Sequence, residues 1–223
     1  MKTQQIDRST DITQPVAKLH SNEQLKQRSN HLRGTIAEGL KDTLTGAVPG
    51  DDPLLMKFHG IYQQDDRDVR FERSQRRLEP VFQFMVRMRI PGGLLTRDQW
   101  LGLDNIARTY AERGLRITTR QTIQLHGVRK RQLQACMQAI RDIGLDTIAA
   151  CGDDSRGVVC GANPAISEVH RKVAALAKAT SQRLIPKTGA YPEIWYGESK
   201  GIPHKDEEPI YGDLYLPRKF KVG

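Results

Sequence analysis

Three shortages in this sequence each close off a class of protein. Only three cysteines occur in 223 residues, Cys136, Cys151 and Cys160, and none of them shares a Cys-x-x-Cys spacing. That is too sparse and too uneven for a disulfide framework and fits reduced thiols. It also falls short of the four thiolates that ordinarily hold an iron–sulfur cluster, so no metal ligand set is expected within this chain. Long apolar runs are missing too: nothing approaches the roughly 18 residues of a membrane span. The opening stretch Met1–Gln24 is polar and mixed in charge, without the apolar segment of a secretory leader. These features predict a cytoplasmic chain with no membrane partner. Aromatic residues, finally, make up only 6% of the chain, which limits any surface that works by stacking.

Basic charge is plentiful by contrast. Thirty-five Lys and Arg stand against 26 Asp and Glu, a formal net charge of +9, which points to an anionic partner. The excess is concentrated. Between Arg113 and Arg131 lie Arg113, Arg116, Arg120, Arg129, Lys130 and Arg131 and no acidic residue. Arg218, Lys219 and Lys221 close the chain, again without an acid.

Periodicity organises the chain into three parts. Residues 1–79 read as an extended N-terminal arm and wrapping segment, with a helical stretch near Asn22–Leu40 and a Gly/Pro/Asp break at Gly46–Pro53. Residues 80–152 are more regular. Val81–Ile90 alternates, with Phe82, Phe84, Val86, Met88 and Ile90 on one face and Gln83, Arg87 and Arg89 on the other, as in a strand with one buried face. Thr96 opens a helix with Gln99 at the capping-box position and an apolar stripe of Trp100, Leu103, Ile106 and Tyr110. Two short strands follow around Leu115–Ile117 and Ile123–Leu125. A second helix carries Leu133, Cys136, Met137 and Ile140 and stops at Gly144. A last strand is expected at Asp146–Ala150. Strand, helix, strand, strand, helix, strand is the ferredoxin-like α+β arrangement. In residues 153–223, Asn163-Pro164 reads as the start of a long helix to about Leu184. Strands are expected at Glu193–Tyr196 and Tyr215–Val222. The chain stops inside the second of these, an odd place for a domain to end.

Side-chain parity gives the sharpest inference. Arg116, Thr118, Arg120, Thr122, Gln124 and His126 share a parity opposite to Leu115, Ile117, Ile123 and Leu125. If helices cover the apolar side, Arg116, Arg120, Gln124 and His126 lie on the other, joined by Arg87 and Arg89. A face with four arginines and no carboxylate is a seat for something multiply anionic. A solvated polar face is the plain alternative, but solvated faces mix signs and this one does not. RNA-recognition modules share the topology, yet they stack bases on aromatics of the open face. Here Phe82 and Phe84 fall on the apolar parity, so an RNA-binding ferredoxin-like module is the lesser alternative and no nucleic-acid partner is expected. Lys219 and Lys221 project together from one side of an extended segment, where two ammonium groups repel unless an anion lies between them; a basic strand edge is the plain alternative. His59 and His170 read as structural or solvent-facing, His126 as equally structural or functional. The run Asp65–Asp68 lacks metal-ligand spacing and reads as helix-flanking or salt-bridging. The cysteines read as buried core residues.

Several stretches together resemble the siroheme-dependent nitrite/sulfite reductase family. They are Leu32–Glu38, Lys57–Asp68, Arg87-Met88-Arg89-Ile90-Pro91-Gly92-Gly93, Leu115–Gly127, Asp154–Cys160 and Tyr215–Lys221, in the family's order. The resemblance implies six-electron reduction of sulfite to sulfide at a siroheme coupled to a 4Fe–4S cluster. It implies that Arg87, Arg156, Lys219 and Lys221 are anion-binding and proton-delivering cations. It also implies that Arg116, Arg120, Gln124 and His126 surround the siroheme. An electron donor is implied as well: the flavoprotein alpha-component of an NADPH-dependent system, which the N-terminal arm favours, or ferredoxin. In the family the cluster cysteines lie in a C-terminal half with a second ferredoxin-like unit. Neither is in this sequence, so it is expected to be an N-terminal part, inactive alone, whose last segment begins a siroheme-binding α+β domain.

Overall fold

A computed structural model describes residues 8, 11, 13–152, 155–161, 163–198 and 221–223. Among them, four strands build one sheet: β1 (Ile61–Asp65), β2 (Phe82–Arg87), β3 (Leu115–Ile117) and β4 (Ile123–Val128). Their order is β1-β2-β4-β3 and every pairing is antiparallel. Helices α1 (Ser21–Arg28), α2 (Ile36–Lys41) and α3 (Asp52–Leu55) precede the sheet, and α4 (Arg67–Gln75) connects β1 to β2. The sheet is followed and interleaved by α5 (Arg97–Tyr110), α6 (Leu133–Asp142), α7 (Glu168–Arg183) and α8 (Ala190–Tyr196).

The two helices of the half-domain form as their local signals dictate. Thr96 Oγ1 accepts from Gln99 N at 3.1 Å while Gln99 Oε1 accepts from Thr96 N at 3.0 Å, closing the capping box of α5. After α6 the chain turns at Gly144 with φ 72°, a left-handed value that costs glycine nothing. Leu133, Cys136, Met137 and Ile140 of α6 are fully buried, against Phe84, Val86, Leu125 and Val128 of the sheet. Each such side chain removes about 1.5–3 kcal/mol of apolar exposure. Trp100 departs from the expected stripe: it is 44% exposed, beside Ile117 at 72%, where α5 overhangs the edge strand β3.

Four expected elements change. No strand forms at Asp146–Ala150. Its place against β2 is taken by β1, which the sequence hides because Gln63 and Gln64 break the apolar alternation of an edge strand. Residues 146–149 instead cross the end of the sheet, where Asp146 O accepts from Arg89 N at 2.8 Å and Ala149 N donates to Phe58 O at 3.1 Å. Gly60 permits this crossing: a Cβ there would lie 2.2 Å from Thr147 O. The expected helix start at Asn163-Pro164 moves to Ser167, whose Oγ caps α7 by accepting from His170 N. The expected strand Glu193–Tyr196 is the second half of α8, because Ala190, Tyr191, Ile194 and Trp195 bury one helical face. The stretch Asn22–Leu40 is likewise two helices, parted where Asn30, His31 and Leu32 take φ of 51°, 56° and 69°. Central β2 is buried on both faces, since Gln83 and Met85 are enclosed along with Phe84 and Val86. The strand expected at Tyr215–Val222 lies outside the described residues except for its last two.

A buried polar pin joins the N-terminal segments to α8. Trp195 Nε1 donates to His59 Nδ1 at 2.8 Å, so His59 Nε2 carries the proton it shares with Leu32 O at 3.1 Å. Thr147 Oγ1 donates to His59 O at 2.5 Å and Thr147 N donates to the Tyr191 hydroxyl at 2.9 Å. Burial lowers the His59 pKa to about 4, so the ring is neutral at ordinary pH. His59 and His170 are structural, as expected; His170 Nδ1 lies 2.8 Å from Ser167 Oγ. The acidic run also behaves as read: Asp66 caps α4, and Asp66 and Asp68 bind Arg113 at 2.5 and 3.0 Å.

Candidate anion-binding site

The face opposite α5 and α6 is where the cations gather. The β3–β4 connection is a three-residue loop, Thr119–Gln121, closed by Thr118 N donating to Thr122 O at 2.9 Å. A three-residue loop closed in this way preserves side-chain parity, so the alternation expected through this connection holds. Gln121 sustains the loop with φ 53°. Register then lays one row of side chains across three strands: Arg87 of β2 is opposite Gln124 of β4, and Gln124 is opposite Arg116 of β3.

This row is internally ordered. The Gln124 amide oxygen accepts from Arg87 Nε at 2.8 Å and from Arg87 Nη2, and its nitrogen donates to His126 Nε2 at 2.9 Å. His126 therefore carries its proton on Nδ1. Its pKa is lowered, first by burial and then by the charges of Arg116 and Arg87, which keeps it neutral among cations. Arg116 is exposed and, among the described residues, meets no carboxylate.

Beside the row lies a cavity of about 160 Å³, lined by Arg87, Met88, Thr118, Thr119, Arg120, Thr122, Ala150, Arg156 and Gly157. Three arginines from separate parts of the chain converge on it. Arg120 donates Nη2 to Gly157 O at 2.8 Å and to Val222 O at 3.2 Å. Its Nε, and that of Arg156, are buried with no hydrogen-bond partner among the described residues. A buried guanidinium N–H without an acceptor costs free energy that an arriving acceptor recovers. With water occupying about 30 Å³ in the liquid, the cavity suits a small oxyanion and not a macrocycle.

Not every expected cation belongs to this group. Arg89 is withdrawn from the face: its Nε donates to Asp146 Oδ1 at 2.7 Å and its Nη1 to Ser181 Oγ at 3.2 Å. The face as read from parity therefore loses one arginine and gains one carboxylate at its end. Lys219 lies outside the described residues. Lys221 is exposed, and its neighbour Val222 accepts from both Arg120 and Val159 N, so the chain there returns beside the cavity rim.

Two residues of the site escaped the sequence reading. Gln121 clamps the loop to the segment that carries Arg156, its Nε2 donating to Cys160 O at 2.7 Å and its Oε1 accepting from Cys160 N at 2.9 Å. It stands in a loop, where parity says nothing. Tyr62 reaches the face from β1, opposite Met85, so an aromatic is present on a face expected to have none. Only the recognition of β1 as a strand could have found it.

Fold and cations together describe one class of domain. Residues 77–143 match the family of the nitrite/sulfite reductase ferredoxin-like half domain. Nearly the whole chain is similar to proteins named sulfite reductase [NADPH] hemoprotein beta-component. The relative from Nitrosomonas eutropha is 54% identical over 217 residues, covering 97% of this chain and 38% of its own length. The one from Oceanobacillus iheyensis is 51% identical over 96% of this chain and 37% of its own. Among solved structures, that of the Mycobacterium tuberculosis NirA protein superposes with a TM-score of 0.63 at 22% identity, over 97% of this chain and 37% of that one, a likeness of fold. The chain thus spans somewhat more than a third of the length of the curated relatives it matches.

Proposed function

We propose that this chain is the N-terminal part of an assimilatory sulfite reductase hemoprotein, and that it supplies the cationic wall against which sulfite and the siroheme carboxylates bind. The observation that carries the reading is the cavity of Arg87, Arg120 and Arg156, with two buried guanidinium N–H groups left without acceptors among the described residues. A dianion entering such a site exchanges its hydration for fixed donors, which are stronger away from bulk water. The same fixed cations stabilise the charge that develops as S–O bonds break. Lys221, and by the family resemblance Lys219, would hold protons on Nζ for the departing oxygens.

The residues fit siroheme as a polycarboxylate. Arg120 has an unused buried donor and Arg116 is exposed without a carboxylate partner among the described residues. Gln124 and His126 would act by holding Arg87 and each other in place. When bound, siroheme supplies the electron transfer to sulfur. The thiols do not fit a 4Fe–4S cluster. Cys136 lies in the helical core with its pKa pushed up to about 12 by burial, and no three potential metal ligands converge among the described residues. The cluster cysteines are proposed to lie in the further length of polypeptide that the relatives possess. The electron donor is proposed to be a flavoprotein alpha-component using NADPH, the pathway to be cysteine biosynthesis, and the setting the cytoplasm. The last accords with the lack, among the described residues, of any helix long and apolar enough to cross a membrane.

The test is made on the full-length hemoprotein that contains this sequence. Wild type is expected to bind siroheme and reduce sulfite. Arg156→Met and Lys221→Met should each lower turnover by about 10²- to 10³-fold, the usual cost of one preorganised charge-stabilising donor, with siroheme content unchanged. Undiminished turnover in both variants would overturn the proposal.

A further inference from the structure

The three arginines of the cavity come from three segments that meet at one junction beside it. Arg87 ends β2 and leads into the turn Pro91–Gly93, Arg120 stands in the β3–β4 loop, and Arg156 lies in the segment 155–161. A side chain acting as backbone joins the loop to the segment. The Gln121 amide donates from Nε2 to Cys160 O at 2.7 Å, and its Oε1 accepts from Cys160 N at 2.9 Å. A planar amide offers a donor and an acceptor side by side, as an adjoining strand would. The turn is the floor of this junction. Gly92 N donates to Val158 O at 2.9 Å. A Cβ on Gly92 would lie 2.9 Å from Cys160 Sγ, and one on Gly93 would lie 2.8 Å from Gln121 Cβ.

Gln121 does not itself line the cavity, but its neighbours Arg120 and Thr122 do, as do Arg156 and Gly157 of the segment it holds. Across the same gap Arg120 Nη2 reaches Gly157 O at 2.8 Å, a bond that uses a cation as a strut. With Gln121 carrying the junction, the separation of loop and segment is fixed by a neutral group. Arg120 then keeps its buried Nε for an acceptor that enters. The backbone points the same way. Gln121 has φ 53°, a conformation that glycine or asparagine enters more cheaply. Glutamine is the costlier residue for the turn, and its amide is what the junction uses. We infer that Gln121 is a positioning residue for the anion site: by pinning the β3–β4 loop to Cys160 it sets the separation of Arg120 and Arg156, and so how tightly a small oxyanion is gripped between them. This rests on the reading of the cavity as an oxyanion site.

The experiment is calorimetric titration of the full-length hemoprotein that contains this sequence with sodium sulfite, in the absence of reductant. Siroheme content and melting temperature are recorded for each variant. Wild type should bind sulfite, and Arg156→Met should bind it far more weakly. Gln121→Met keeps the length of the side chain and loses both hydrogen bonds. It should weaken sulfite roughly tenfold with siroheme content unchanged, since a misplacement of about 1 Å in such a site is costly. Gln121→Gly relieves the left-handed φ, so it should melt no lower than Gln121→Met and yet bind sulfite as weakly. It also serves if Gln121→Met fails to fold. Were glutamine there for stability alone, sulfite affinity would recover in Gln121→Gly together with the melting temperature; that result overturns the inference, as does siroheme lost in step with affinity. A wild type that binds no sulfite, or an Arg156→Met that binds as well as wild type, overturns the oxyanion reading and this inference with it. An impaired Arg156→Met, with Gln121→Met and Gln121→Gly both equal to wild type, leaves the oxyanion site standing and overturns the role of Gln121.

Discussion

At the rim of the sheet Arg89, Arg113 and Arg129 each meet a carboxylate: Asp146, the pair Asp66 and Asp68, and Glu112. Around the cavity Arg87 meets an amide, Arg120 meets backbone carbonyls, and the buried Nε of Arg156 has no acceptor among the described residues. One residue type is thus used in two ways within a few strands of sheet. Partnered by acids, arginine ties segments together and its field is cancelled. Partnered by neutral acceptors, it is held in place and its field is kept for something that arrives later. Composition counts both alike, so a net charge of +9 says that cations are in excess without saying which of them are available.

The sharpest way to stress the contrast is to force a charge onto the buried ring of His59. His59 is neutral in the folded state with a pKa near 4, against about 6.5 when unfolded. The unfolded chain therefore binds a proton as pH falls through 6.5 while the native chain resists until about 4, so stability is fully present above 6.5 and is lost on acidification through that window. The loss amounts to about 3 kcal/mol. Urea denaturation at a series of pH values should show this slope, and His59→Gln should flatten it. A wild-type slope of zero between pH 6.5 and 4 would show that His59 is not held neutral.

The next largest effect separates the two kinds of arginine directly. The Arg89–Asp146 pair is mostly buried, with the arginine side chain 12% and the aspartate 29% exposed. Arg89→Met strands Asp146 and should destabilise the chain by about 2 kcal/mol. Arg156→Met removes a half-buried cation, without a carboxylate partner among the described residues, from a site arranged for function. It should leave stability unchanged or raise it by about 0.5–1 kcal/mol, the usual trade between stability and activity. If Arg156→Met proved the more destabilising of the two by denaturant titration, the distinction between structural and functional arginines would fail.

The smallest effect belongs to the exposed rim. Arg113 is bound to Asp66 and Asp68 at the partly exposed surface, and such pairs are screened. Arg113→Gln should move the melting temperature within experimental repeatability, and its small effect should vanish in high salt. A large shift would show that the Asp66 cap of α4 depends on Arg113.

The half-domain was legible because its signals are local. The capping box at Thr96 and Gln99, the stripe Leu133-Cys136-Met137-Ile140 and the stop at Gly144 each act within a turn or two of chain. The parity of Arg116, Gln124 and His126 survives because a three-residue loop keeps it. Where long-range contact decides, local reading failed. β1 is a poor strand by itself, and only pairing to β2 makes it one, which displaced the strand expected at Asp146–Ala150. Residues 193–196 read as a strand but bury one helical face. Arg89 has the parity of a site residue and was lost to Asp146, 57 positions away in sequence.

By itself the sequence determined which elements form between 80 and 144 and that one face of their sheet bears arginines without acids, since both follow from short-range capping and from the two-residue period of a strand. Tertiary structure alone decided which arginines keep their charge. That depends on what arrives from elsewhere in the chain: Asp146 beside Arg89, Gln124 beside Arg87, Gly157 and Val222 beside Arg120. The charge of a side chain is local, but its availability is set by its neighbours.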